Sequence, residues 1–183
     1  MACSRTLSGI AMECAPQKGG ILEAYVTPWA KGIFQYSVNT GATSADAEIP
    51  EAVTGVTSGL TWNKLAFRKN ISNFTSTGNV DDANGVSYVS TEVNLVFNKM
   101  QTASRIAISA LAMSGVALVV KDANGKYWAL GLDEPVTTTA YGGESGTAAT
   151  DANHYTITLT DTSLYLPIEM DETIGDGIAE IAQ

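Results

Sequence analysis

The sequence predicts a mainly β domain, a β-sandwich or barrel-like architecture with one short α-helix and long loops. Three observations point that way. Residues 87–97 form the longest run of β-branched and aromatic side chains. Two apolar runs, residues 116–120 and 127–132, flank Asn124-Gly125, which is a hairpin signal that calls for a type I′ turn. Residues 154–160 alternate apolar and polar, as a strand with one wet face does.

The other elements follow in chain order. Residues 1–20 read as an irregular arm, after which Ile21-Leu22-Glu23-Ala24-Tyr25-Val26 forms a first strand ending at Pro28. Residues 41–59 are small, polar and acidic, a surface loop with one short strand around 52–56. Leu65 and Phe67 alternate around Ala66, predicting a strand over 65–68, and residues 76–85 have the composition of a mobile turn. Between Met100 and Leu111 the apolar residues recur at three- and four-residue spacing, predicting the helix, which Ser114-Gly115 ends. Residues 133–153 offer little to bury and read as a long exposed loop, mobile in the free chain, either ordered by a partner or a variable surface loop with no role. The acidic, glycine-broken stretch 171–183 reads as a flexible tail. At 183 residues all of this fits one domain spanning 1–183.

Composition excludes several functions. Charged residues make up 16% of the chain and the formal net charge is −9, with ten scattered bases, which disfavours specific nucleic-acid binding. The opening MACSRTLSGIAMEC lacks the apolar core of a secretory signal, so a cytoplasmic origin is expected and the sequons at Asn70 and Asn73 stay bare. Residues 106–120 are apolar but too short to span a bilayer, which needs about 20 residues. Cys3 and Cys14 are too few for a disulfide scaffold or a zinc site; buried or free thiols are expected, and a bridge between them stays open.

No catalytic constellation emerges, and none is expected, nor a cofactor. His154 is the sole histidine, and it follows a polar loop without a motif around it. Gly143-Glu144-Ser145-Gly146 lacks the second glycine spacing and the strand-to-helix context of a nucleophile elbow. Gly125-Lys126-Tyr127 lacks the earlier glycine of a phosphate loop. Asp81, Asp82 and Asn84 offer oxygens to Ca²⁺ without EF-hand spacing, and solvated turn carboxylates account for them better, so no metal is expected. Trp29, Trp62 and Trp128 fit core or interface anchors better than a sugar-stacking platform.

The order of an N-terminal arm, strands, a long polar loop, a strong strand, one short helix, a hairpin and a final strand resembles tail-tube proteins of bacteriophages. The opening Cys3…Thr6-Leu7-Ser8-Gly9-Ile10…Cys14…Pro16…Gly19-Gly20-Ile21 is similar to structural proteins of phages infecting Bacteroides-type bacteria. The stretch from Ser87 through Leu132, with Val119-Val120-Lys121-Asp122-Ala123-Asn124-Gly125-Lys126-Tyr127-Trp128, is similar too. The resemblance implies a tail-tube-like virion protein that forms cyclic homo-oligomers, usually hexamers. Its rings would stack around a channel in which DNA is only non-specific cargo. The neighbours would be other tail or connector proteins, with no membrane, and assembly would occur in the host cytoplasm. Tyr88, Val93, Leu95, Phe97, Trp128, Thr138 and Tyr141 are the interface residues expected on that basis. The competing expectation from another class is a carbohydrate-binding or adhesin-like β-sandwich that would use its tryptophans and long loop; a small hydrolase comes third.

Overall fold

The computed structural model describes residues 16–38 and 49–182. Cys3, Cys14, most of the N-terminal arm and much of the 41–59 loop lie outside them. The elements are β1 (Ile21–Pro28), β2 (Phe34–Val38), β3 (Pro50–Val56), β4 (Asn63–Leu65), β5 (Asn73–Asp81), β6 (Val86–Asn98) and α1 (Thr102–Ala112). They continue with β7 (Val116–Asp122), β8 (Tyr127–Leu130), β9 (Thr137–Glu144), β10 (His154–Ser163), β11 (Ile168–Met170) and α2 (Glu172–Ile181).

The strands form two sheets. The larger runs β2-β3-β11-β8-β7-β1-β4 and is antiparallel except where β3 meets β11. The smaller, β5-β6-β10-β9, is antiparallel throughout. Val93, Leu95, Ile157 and Leu159 of the small sheet pack on Ala24, Leu118, Val120 and Leu130 of the large one, with Ile108 of α1 closing the side. The domain is thus the mainly β, sandwich-like fold that the sequence predicts.

A second core covers the opposite face of the large sheet, where Tyr25, Val53, Trp62, Ala117, Val119, Tyr127 and Met170 meet Ile178 of α2. This explains the unbroken run Val116-Ala117-Leu118-Val119-Val120. A strand with one wet face alternates, but β7 is buried on both faces, so polar residues are excluded from both parities.

Several expectations are corrected. The 133–153 loop contains β9, which pairs with β10 from Thr137 to Glu144. Its threonines and glycines hide the strand because an edge strand gains order from ladder hydrogen bonds without burying side chains. Only the remainder of that segment is loop. The 171–183 tail is mostly α2, with Asp171 Oδ1 accepting from the Thr173 N–H at 2.9 Å as an N-cap. Two glycines, Gly175 and Gly177, obscure its helical period, and one is required: a Cβ on Gly175 would overlap the Tyr127 ring.

The expected turn at 76–85 shrinks, since β5 runs to Asp81. The expected strand at 65–68 is β4, shifted to Asn63–Leu65, and β2 and β11 have no counterpart in the sequence reading. The β7–β8 hairpin lies mid-sheet as its apolar runs predict, but its turn is not type I′. Gly125 N–H donates to Asp122 O at 3.2 Å, Asp122 N–H to Lys126 O at 2.8 Å, and only Gly125 in the loop has positive φ, +91°. That is a three-residue loop with the glycine at the left-handed bulge position. Asp122 Oδ1 supports it by accepting from the N–H groups of Asn124 and Lys126.

Candidate assembly surface

The feature that stands out is the small sheet. In β10, Tyr155, Ile157, Leu159 and Asp161 point into the sandwich, so the register sends Thr156, Thr158 and Thr160 to the outer face. Their partners in β6 are Val96, Asn94 and Glu92, and β5 adds Asn73, Thr75 and Thr77. Hydroxyls and amides knit this face together. Thr158 Oγ1 donates to Asn94 Oδ1 at 2.8 Å, and Thr139 and Thr160 share a 2.9 Å hydroxyl contact where β9 is bulged. Glu92 is exposed on the face, Glu144 lies at its rim opposite His154, and β5, β6, β9 and β10 contain no lysine or arginine.

Both edges of this sheet, β5 and β9, lack a further strand among the described residues. Neither strand carries the lysine or proline that usually blunts an edge. In β9 the Tyr155 ring fills the place of a side chain at Gly143, where a Cβ would come within 2.6 Å of it.

The structure divides the expected interface residues. Tyr88, 38% exposed, and Tyr141, 63% exposed, are open to solvent at the tip of β6 and on the β9 edge. Val93, Leu95 and Phe97, expected at the interface, are instead buried in the inter-sheet core, Phe97 also bordering a groove beside α1. Trp128 is half-buried as a strut, its ring 6.3 Å from Phe74 of the small sheet and its indole N–H donating to Asp122 Oδ2 at 3.2 Å. Thr138 is half-buried too, donating to the Leu111 carbonyl at 3.4 Å. The sequence pattern did not single out Thr75, Thr77, Thr156 and Thr160; the polar half of the 154–160 alternation was a signal for the last two, and nothing local marked the first two.

Other chemistry is accounted for locally. Asp81 accepts from the Ala83 and Asn84 N–H groups and from Asn84 Nδ2; these bonds hold its carboxyl below the usual range and spend its oxygens inside the turn. Among the described residues no group of three or more His, Cys, Asp or Glu side chains is disposed to hold a metal. Ser145 Oγ donates to the Gly146 carbonyl at 3.2 Å and meets no base. Trp62 is fully buried and Trp29 donates to the Gly131 carbonyl at 2.9 Å, so the three tryptophans form no exposed platform.

On the α2 side, Lys64 Nζ and the Tyr25 hydroxyl both donate to Glu23, at 2.6 and 2.7 Å, which holds the Glu23 carboxyl low. Tyr127 donates to Asp176 at 2.7 Å and accepts from Lys121 at 2.8 Å, tying α2 to the large sheet. An open apolar groove of about 620 Å³ separates α1 from β1 and β4, lined by Leu65, Phe97, Ala107 and Leu111 among others.

No family model, curated protein or solved structure matches this chain. No helix among the described residues is long and apolar enough to cross a membrane.

Proposed function

We propose that the protein is a structural subunit of a phage virion that self-assembles into rings, forming the tail tube or a tail-associated ring around the DNA channel. The observation that favours this reading is the small sheet, with two open edges that carry no lysine or proline and an outer face of hydroxyls, amides and carboxylates without lysine or arginine. Pairing β5 of one copy with β9 of the next would satisfy the free N–H and C=O groups of both edges and close a barrel. The polar face would then line the bore. Its carboxylates repel phosphate and its hydroxyls exchange hydrogen bonds with water, so DNA would slide without adhering. No catalysis is assigned. The carbohydrate-binding alternative finds less support, because Trp62 is fully buried and Trp29 and Trp128 are half-buried.

Negative-stain imaging and light scattering of the purified full-length chain test the proposal. Rings or tubes are expected, and Tyr141→Lys together with Thr77→Lys, which place charges on the two edges, should abolish them while leaving the fold intact. A chain that stays monomeric at high concentration in every salt condition overturns it.

A further inference from the structure

We infer that copies of this chain join head to tail along the strand direction of the small sheet, the β5–β6 hairpin tip of one copy seating against the basic opposite end of the next. This rests on the self-assembly reading above and names the surfaces that would stack.

The distribution of charge points to it. Three of the ten bases are spent in ion pairs within the chain: Lys64 with Glu23, Lys121 with Asp176 and Lys126 with Glu169. Four others, Arg68, Lys69, Lys99 and Arg105, are exposed and have no ion pair among the described residues. The backbone gathers these four at one end of the small sheet. Arg68 N–H donates to Val96 O at 2.7 Å beside the end of β6, and Lys69 follows it. Lys99 comes directly after β6, its N–H bonded to Asn153 O at 2.9 Å, and Arg105 lies one turn into α1, its N–H on Gln101 O. Ile71, half exposed, sits among them at the start of β5. Glu144, opposite His154 in the register, and Asp151 of the loop that follows stand at this end as well, so its four bases leave it net basic, and unpaired bases grouped this way repel one another.

The far end of the same two strands has the complementary character. The hairpin overshoots the rest of the sheet, since β10 stops at Ser163 opposite Val89. Its tip carries Asp81 and Asp82, and residues 73–98 contain no lysine or arginine. Val80 is 77% and Val86 44% exposed there, an apolar pair beside two carboxylates to match Ile71 beside the bases.

Because the two surfaces sit at opposite ends of one hairpin, joining them is a heterologous contact. It repeats by translation and does not close at two copies. Exposed pairs of this kind are screened over about 8 Å at physiological salt, so the contact should be sensitive to ionic strength.

Sedimentation velocity on the full-length chain tests this. Asp82→Lys is chosen because Asp81 also holds the turn together, and Lys69→Glu reverses the other end; both positions are exposed, and circular dichroism verifies that each variant folds. The wild-type chain should give species that grow beyond a single ring with concentration and shrink in 0.5 M salt, roughly three times the ionic strength at which the 8 Å screening length applies. Each variant alone should weaken association at least about tenfold, which is about 1.4 kcal/mol. An equimolar mixture should recover growth, because each junction again pairs opposite charges. Association that ignores both substitutions and salt, or that stops at a single closed ring, overturns the head-to-tail contact while leaving ring formation through the sheet edges standing. A chain monomeric under all conditions overturns both.

Discussion

The backbone N–H of Gly131 donates to Asp161 Oδ1 at 3.2 Å, joining the exit of β8 in the large sheet to the inward face of β10 in the small one. Asp161 is 3% exposed and stands opposite Thr91 in the register. Burial is the main force on its carboxyl, which is pushed up to about 6; the Gly131 bond opposes that shift, and Asp133 and Glu134 reinforce it. The native state therefore holds a proton that the unfolded chain releases near 3.8.

This sets a direction for pH. The stability this group contributes is fully present below its unfolded pKa and is lost as pH rises from about 4 through about 6. Asp161→Asn keeps the shape and an acceptor oxygen without the charge. It should raise stability at pH 7.5 by on the order of 2 kcal/mol and change it little at pH 4. Urea unfolding at the two pH values checks this; an equal effect at both would remove Asp161 as the titrating group.

Gly125 has φ +91° at the bulge of the β7–β8 turn, a conformation that a β-branched residue resists. Gly125→Val should lower stability by about 1–2 kcal/mol, while Gly125→Asn should cost less. Thermal melting of both variants decides it, and an unchanged midpoint for Val would contradict the turn assignment.

Gly175 lets α2 lie directly on the Tyr127 ring. A leucine there should force the helix off the sheet, costing about 1–3 kcal/mol and exposing the C-terminal segment to protease. Cleavage after residue 170 in the variant but not in the wild-type chain is the expected pattern under limited proteolysis.

Leu95 and Tyr141 should separate packing from assembly. Leu95 is fully buried between the sheets, so Leu95→Ala should cost about 2–5 kcal/mol in unfolding. Tyr141→Ala, on the open β9 edge, should leave the melting midpoint nearly unchanged and reduce ring yield on imaging. A large melting loss for Tyr141→Ala would make it a packing residue and not an edge contact.

Some of this molecule was legible from residue order. The β6 strand, the α1 helix, the β7–β8 hairpin and β10 all carry their own period or turn chemistry, so local pattern located them to within a few residues. The polar face of β10 was present in that pattern too, as the discarded half of its alternation, whereas β5 was hidden by the turn-like composition of its residues 76–81.

What the tertiary structure decided lies where local pattern and global environment part. β9 is threonine and glycine because its order comes from a ladder with β10, a partner set by topology and not by composition. α2 carries a glycine in mid-helix because an aromatic ring from β8 occupies that space, so local propensity points away from a helix that packing requires. Val93, Leu95 and Phe97 have the same composition whether they face a partner or a core; the second sheet lying over them settled it. The sequence by itself determined the class of fold and its strongest strands through short-range periodicity. Edge, core and surface depended on which strands became neighbours, a long-range outcome that no window of a few residues contains.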